Sequence, residues 1–443
     1  MNYHMKADPP LRLVFAVPDH PWVDGSASSI DTANVRIAMT VGTMEANLAG
    51  TLSEVILERP GNNGDGFLMV NYDTRKGRIN SNLTIGADVG AAKPLNSNSL
   101  IASAGMTPNG KGFLVTPDEA AKLGLGSIPG LEKHIKPYRN GRDIASTPRN
   151  VMAIDLYGLT ITEVKKRYPA VYQHLVDNVK PERDKKRNNA LRKNWWLLGS
   201  TKSTFRPALE GLDQCIITLE NARRRYFVLS DSNIIHDNKL IIIASADTYI
   251  LGVLSSRIHT EWVMATGGRL GVGNDSVYNK SICFDAFPFP DATEEQKDSI
   301  RAIAEKIDTH RKTRQSEYPK LTMTNMYAVL DDMQYGVPLD AKKEKVSRQG
   351  DLSTLFQLHQ ELDAAVAEAY GWPVDLPSDE LLVKLLELNH ERSEQEMNGK
   401  TQWLRPDFQA IRHGVEASYL SDAPLNRFQL MLQALSDLSV SVH

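Results

Sequence analysis

The side chains with the clearest chemical potential are lysines and arginines between residues 180 and 225, where 12 basic residues stand against 5 acidic ones. A guanidinium group can donate two parallel hydrogen bonds to a guanine edge or a phosphate, whereas a lysine ammonium mainly anchors phosphate. The whole chain carries a formal net charge of −3, so this excess is local. It indicates phosphate contact, because each neutralised phosphate releases counterions. The alternative is a solvated helix face, since Glu182 and Asp184 interrupt the run.

A second candidate is the tetrapeptide Asp8-Pro9-Pro10-Leu11. It differs by one residue from the DPPY or NPPY loop with which amino-group DNA methyltransferases hold a flipped adenine. In such a loop an aromatic ring stacks on the base, and Leu11 offers no ring. The loop should also follow a cofactor domain, whereas this one begins at residue 8. The residues therefore favour a proline-stiffened lead-in to a strand.

The other candidate groups match no catalytic pattern. The glycine cluster GGRLGVG (267–273) follows a predicted helix, whereas a cofactor-binding turn should follow a strand. The histidines are scattered without metal-ligand spacing, and Cys215 and Cys283 are too few for a thiolate site or a disulfide framework. We therefore expect no catalytic residue, no metal and no bound cofactor in this chain.

Length and composition predict an ordinary globular protein. The chain has 443 residues, of which 41% are hydrophobic and 24% charged, and this length favours two or three domains. No window approaches 18 consecutive apolar residues, and no basic and apolar leader opens the sequence. We therefore expect a cytoplasmic protein that contacts no membrane.

Three regions must position these residues, and together they predict an α+β fold. Residues 1–75 contain closely spaced strand candidates that are typical of the edge of a larger sheet. The candidates are Leu11 to Val17, Asn34 to Gly42 and Leu52 to Leu57. Seventy residues cannot complete a doubly wound domain, so we interpret this region as the terminal strands of one.

Residues 76–290 mix short helices and strands. Thr116 with Glu119 and Thr160 with Glu163 predict capping boxes at two helix starts. Three apolar runs, QCIITLE, RYFVLS and KLIIIAS, predict a three-stranded meander. Asp247 should cap one helix that continues to Gly267.

Residues 291–443 are predicted to be helical. They hold 17 basic and 26 acidic side chains. Thr293 with Gln296 predicts a capping box, Leu358, Leu362 and Val366 mark an apolar helix face, and a further helix should start at Ser378. A charged segment at residues 315–320 is expected to connect two helices.

Several separated strings resemble one family. LRLVFAVPDHPWVD and NVRIAMTVG resemble the segments that finish the methyltransferase domain of MmeI-like class I adenine-N6 DNA methyltransferases. GFLVTPDEAA, IKPYRNGRDI, YPAVYQHLVDNVKPERD, NWWLLGSTKSTFRPAL, LGVLSSRIHTEW and CFDAFPFP resemble its target-recognition domain. LTMTNMY, LDAAVAEAYGWP and TQWLRPDFQ resemble its helical C-terminal region. The order and spacing of these strings cover essentially the whole chain.

The resemblance implies a division of labour. The family's adenine-binding loop and its S-adenosylmethionine motif lie upstream of the strand matched by LRLVFAVPDHPW, so we expect neither in this chain, and the chain alone should be inactive. S-adenosylmethionine is expected only for the full enzyme. Residues 76–290 should read double-stranded DNA, with Asp275 as a further contributor beside the expected contacts. The expected DNA contacts are Lys185, Lys186, Arg187, Arg192, Lys193, Lys202, Arg206, Arg223, Arg224, Arg225, Arg269 and Asn274.

Two alternatives remain open on the sequence. The chain could be an interaction subunit or remnant that completes a separate N-terminal methyltransferase polypeptide, with its acidic helical region docking the partner. It could also be a complete S-adenosylmethionine-dependent DNA methyltransferase in its own right. Binding of that cofactor by the isolated chain would favour the latter alternative.

Overall fold

A computed structural model describes residues 2–22, 35–45, 48–60, 68–270 and 275–414. The fold is mixed α/β, with small sheets in the first two regions and helices in the third. The predicted fold class is therefore confirmed. Within the described residues, no helix is long and apolar enough to cross a membrane.

The N-terminal region folds into one four-stranded sheet. Its strands, after the short helix α1 (Asn2–Met5), are β1 (Arg12–Trp22), β2 (Val35–Thr43), β3 (Gly50–Pro60) and β4 (Leu68–Gly77). Their order in the sheet is β2-β1-β3-β4; β1 runs parallel to β3, and the other pairs are antiparallel. The three predicted strands are confirmed, and β4 is additional. Asp8-Pro9-Pro10 lies between α1 and β1 as a lead-in to the strand.

The second region contains two four-stranded sheets and one three-stranded sheet. Its first elements are β5 (Ala102–Ala104), β6 (Leu114–Val115), α2 (Pro117–Lys122), β7 (Ile135–Arg139), α3 (Gly141–Ala145), β8 (Val151–Ile154), α4 (Ile161–Arg167), α5 (Pro169–Asn178), α6 (Lys180–Asp184), α7 (Asn189–Lys193) and α8 (Arg206–Leu209). The others are β9 (Gln214–Leu219), β10 (Asn221–Ala222), β11 (Val228–Asp231), β12 (Ile235–His236), β13 (Leu240–Ile243), α9 (Thr248–Ser255), α10 (Arg257–Thr266), β14 (Gly268–Leu270), β15 (Asp275–Val277) and α11 (Lys280–Cys283).

The order of the strands corrects the predicted meander. The three apolar runs do form strands β9, β11 and β13, but the sheet order is β11-β9-β13-β5. The first strand in sequence thus lies between the other two, and both pair with it antiparallel. Alternation of apolar residues identifies strands but not their neighbours, because pairing depends on contacts distant in sequence.

Helix termini follow the local signals, with one correction. The capping boxes at Thr116, Thr160 and Thr293 are present, and the Asp247 side chain accepts a hydrogen bond from the Tyr249 amide. The helix predicted to run from Asp247 to Gly267 is instead two helices, α9 and α10. Ser256 separates them, because its extended backbone lets its hydroxyl cap α10 by accepting from the His259 amide.

The described part of the third region, residues 291–414, is helical, as predicted. Its helices within these residues are α12 (Glu294–Glu317), α13 (Met323–Gln334), α14 (Ala341–Gly350), α15 (Leu352–Tyr370), α16 (Ser378–Met397) and α17 (Pro406–Arg412). The predicted connection at residues 315–320 is only partly correct, because α12 continues through Glu317 and the connection to α13 is residues 318–322.

The described residues form three apolar cores. A small core holds the N-terminal sheet, and a second lies among residues 106–198 together with Ile235 of β12. The largest combines the sheet β11-β9-β13-β5 with α9, α10 and the third-region helices. At Gly252 in α9, an added Cβ would lie 2.5 Å from Ile300 of α12. The largest core is thus continuous across residue 290, where the sequence predicts a domain boundary. The division into residues 1–75, 76–290 and 291–443 remains a prediction.

Candidate nucleic-acid interface

The predicted DNA contacts fall into two groups, and the first lies on α6, α7 and the turn between them. Lys185, Arg187 and Lys193 are exposed there. Lys186 pairs with Glu182 at 3.2 Å one helical turn away. Arg192 donates to the carbonyl oxygens of Lys186 and Arg187 at 2.6 and 3.0 Å, so it shapes the turn. The exposed three are the side chains most available to a ligand.

Arg183, within the same basic run, is a structural residue. Its side chain is fully buried and donates to the carbonyl oxygens of Pro108 and Leu197, both at 3.0 Å. The guanidinium lies 5.3 Å from the centre of the Phe113 ring. Burial lowers the pKa of Arg183 from its usual value. Arg183 therefore connects α6 to the two segments that contain Pro108 and Leu197.

Lys202 and Arg206 lie between the two groups in sequence, after α7 and before β10. The Arg206 guanidinium donates to the buried Asp155 carboxylate and to the Thr201 carbonyl, each at 2.7 Å, and its carbon lies 4.5 Å from the Tyr157 ring centre. Lys202 is partly exposed and has a left-handed backbone with φ of 52°. Arg206 is thus oriented by the protein, whereas no carboxylate among the described residues pairs with Lys202 within 4.0 Å.

The second group is built around the three-stranded sheet β10-β15-β14. Asn221 pairs with Val277, and Arg269 pairs with Ser276, which places the turn after β10 beside the β14–β15 hairpin (residues 268–270 and 275–277). Arg223, Arg224 and Arg225 follow β10 directly. The sheet thus brings together two arginine-containing segments that are more than forty positions apart in sequence. Asn274 lies outside the described residues, as do the side chains of Arg269 and Asp275.

The three consecutive arginines have different surroundings. Arg223 is exposed. Arg224 forms an ion pair with Asp331 of α13. Arg225 donates to the carbonyl and hydroxyl oxygens of Ser276 at 2.9 and 3.0 Å. Burial lowers the pKa of Arg225. These contacts favour a structural role for Arg225, where the sequence predicted a DNA contact.

Arg142 is a candidate contact that the sequence did not single out. It is exposed at the start of α3. A Cβ added at the preceding Gly141 would lie 3.0 Å from the Leu219 side chain, and the Leu219 carbonyl accepts from Arg225. Arg142 therefore lies near the second group. An isolated arginine forms no charge run, so the sequence carried no signal for it.

A cleft of about 520 Å³ opens beside this group, between α3, β11 and the helices α12 and α13. Two carboxylates line it: Asp143 pairs with Arg149 at 2.8 Å, and Asp308 pairs with Arg311 at 3.3 Å and with Lys312 at 2.6 Å. Both are therefore neutralised within the protein. Within the described ranges, no three His, Cys, Asp or Glu side chains are grouped as metal ligands.

Comparisons with known proteins bear on this region. Residues 89–291 match the family model described as the MmeI target recognition domain. DNA methyltransferase A of Bacillus subtilis (strain 168) is 26% identical over 284 residues, which cover 61% of this chain and 31% of that protein. A solved structure of the type IIL restriction-modification enzyme MmeI in complex with DNA has a TM-score of 0.65 at 20% identity. That match covers 87% of this chain and 46% of the MmeI chain, so this chain spans less than half of either relative.

The matched segment, with its small sheets and short helices beside a helical region, is a target recognition domain. More particularly, residues 89–291 form an MmeI-like target recognition domain, as the sequence resemblance implied.

Proposed function

We propose that this chain recognises the sequence of double-stranded DNA as the specificity part of an adenine-N6 DNA methyltransferase from a restriction-modification or related defence system. The observation that carries the proposal is the joining of Arg223 to the β14–β15 hairpin within the matched segment. A two-stranded ribbon fits the major groove of DNA, where arginine reads guanine and asparagine reads adenine. Arg269 and Asn274 belong to this hairpin and its connection.

The first group of basic residues serves a different purpose in this proposal. Lys185, Arg187 and Lys193 are exposed cations, which suits them to hold phosphate without reading sequence. They would anchor the duplex while the hairpin reads the base edges. Lys202 joins this anchoring group, because it lies on the connection between the two.

The experiment measures binding of a mixed-sequence duplex by fluorescence anisotropy over a series of salt concentrations. We expect micromolar binding that weakens steeply with salt, and each of Lys185→Gln and Arg187→Gln should reduce the slope of log affinity against log salt by about one unit. Lys384→Gln, an exposed lysine of α16, is the matched control and should leave the slope unchanged. Absence of binding at low salt would contradict the proposal.

The methyl donor and the target adenine belong, in this proposal, to a methyltransferase part that acts with this chain. Support comes from the N-terminal sheet, whose small core leaves Trp22, Ile56 and Met69 more than half exposed. Apolar side chains on a sheet are normally covered. S-adenosylmethionine should therefore bind the combination of this chain and a methyltransferase polypeptide but not this chain alone, which calorimetric titration of each would test.

The same exposed side chains favour one second candidate function, an interaction subunit that completes a methyltransferase without binding DNA by itself. Sedimentation of the chain with and without a methyltransferase polypeptide separates the two. Association combined with no duplex binding by the chain alone would favour the subunit.

A further inference from the structure

The β14–β15 hairpin cannot hold its own position. The sheet β10-β15-β14 has strands of two or three residues, and such short strands are marginal without packing from outside. The elements that contact this sheet must therefore orient the hairpin.

The first support is Arg225. In addition to its bonds to Ser276 in the middle strand, it donates to the Thr218 hydroxyl at 3.3 Å and to the Leu219 carbonyl. Ser276 in turn donates from its hydroxyl to the Ala222 carbonyl at 3.0 Å. These bonds attach the three-stranded sheet to the end of β9.

The second support comes from α13 in the helical region. Asp331 pairs with Arg224, and the ring of Tyr327 lies 5.2 Å from that of Tyr226. Both contacts reach the residues that flank Arg225 in sequence. Helix α13 therefore holds the segment after β10 on both sides of the arginine that holds the hairpin.

Helix α13 is held in turn by contacts with α12 and α15. The Tyr327 hydroxyl accepts a hydrogen bond from Arg311 of α12 at 2.8 Å and lies 3.1 Å from the Nε2 atom of His359 of α15. Burial lowers the pKa of His359 to about 3, so this imidazole is neutral near pH 7. Arg311 is only 2% exposed and pairs with Asp308. A continuous set of contacts thus runs from α12 and α15 through α13 to the hairpin.

We infer that α13 positions the recognition hairpin, with Asp331 and Tyr327 as positioning residues, so that the helical region helps determine which DNA sequence the chain prefers. This inference rests on the proposed function. Asp331 and Tyr327 touch other protein side chains and act on DNA only through the hairpin.

The test uses the full chain with Asp331→Asn and the control Asp332→Asn. Both changes remove one negative charge from the same helix, but Asp332 pairs with Lys343 of α14 at 2.9 Å, away from the hairpin. Hydrogen exchange of the Arg269, Leu270 and Val277 amides should accelerate roughly fivefold in Asp331→Asn, because the variant loses one partly exposed ion pair that stabilises the hairpin. The exchange rates should not change in Asp332→Asn.

The second arm selects duplexes from a randomised pool. The sequences that the unaltered chain prefers should be enriched about fivefold less by Asp331→Asn than by the unaltered chain. The affinities of Asp331→Asn and Asp332→Asn for mixed-sequence duplex should be equal. Equal enrichment by the two variants would overturn the inference, as would equal exchange. An unaltered chain that enriches no sequence would instead contradict the proposed function, and the exchange arm would still decide whether α13 holds the hairpin.

Discussion

Neighbouring arginines in this protein differ in role because their surroundings differ. Arg225 satisfies main-chain and hydroxyl acceptors of β9 and β15, whereas Arg223 is exposed. We expect Arg225→Met to lower the free energy of unfolding by about 3 kcal/mol, because it leaves buried acceptors without a donor. Arg223→Met should change it by less than about 0.5 kcal/mol and weaken duplex binding instead. Urea unfolding and fluorescence anisotropy check the pair; equal effects on stability would contradict the assignment.

A second residue, Asp363, makes stability depend on pH. Burial raises the pKa of this carboxyl from 3.8 to about 6, against the opposing hydrogen bond from the Arg257 amide. Between those values the folded protein keeps a proton that the unfolded chain has released, so the contribution of Asp363 to stability falls as pH rises through about 6. Asp363→Asn removes this loss.

The corresponding measurement is the free energy of unfolding by urea at several pH values. Asp363→Asn should gain stability relative to the unaltered chain as pH increases from 4 to 7. Asp375→Asn is the control, because Asp375 is exposed, and it should show no such trend. A pH-independent difference between Asp363→Asn and the unaltered chain would refute the prediction.

At the scale of elements, the close approach of α9 to α12 depends on Gly252. A Cβ at this position would lie 2.5 Å from Ile300 and 3.3 Å from both Ala304 and Leu362. Gly252→Ala should therefore lower the free energy of unfolding by about 1–3 kcal/mol through overpacking, despite the better helix propensity of alanine.

A double-mutant cycle with Ile300→Ala identifies the cause. Ile300→Ala removes the side-chain atom that the new methyl group would meet, so the two changes together should cost less than the sum of each alone. Thermal or urea unfolding of the four proteins gives the coupling, and strict additivity would exclude overpacking at this contact.

At the scale of the whole molecule, the recognition domain and the helical region share one apolar core. Leu254 and Trp262 of the former and Leu362 and Leu385 of the latter are all buried in it. We expect residues 89–414 to unfold in a single transition, because neither part can keep its core without the other. A chain ending at residue 290 should expose this apolar surface and aggregate. Calorimetry of the full chain and sedimentation of the truncated one test this, and two separate transitions would support a domain boundary near 290.

The sequence by itself determined the features that depend on near neighbours. The capping boxes at Thr116, Thr160 and Thr293 and the helical third region follow from side chains within a few positions of each other. The resemblance of separated strings also identified the target recognition domain, because their order is retained along the chain. The basic run at residues 180–225 was visible as a charge excess.

Only the tertiary structure decided which of those features meet. Strand pairing placed β9 between β11 and β13 and joined Arg223 to the β14–β15 hairpin, more than forty positions away. It also distinguished the exposed Arg223 from the buried Arg183 and from Arg225, whose guanidinium is hydrogen-bonded within the protein, although the three are equivalent in composition. The physical reason is that burial and ion pairing depend on contacts between distant segments. A pattern within one segment specifies its own secondary structure but not the side chains that will surround it.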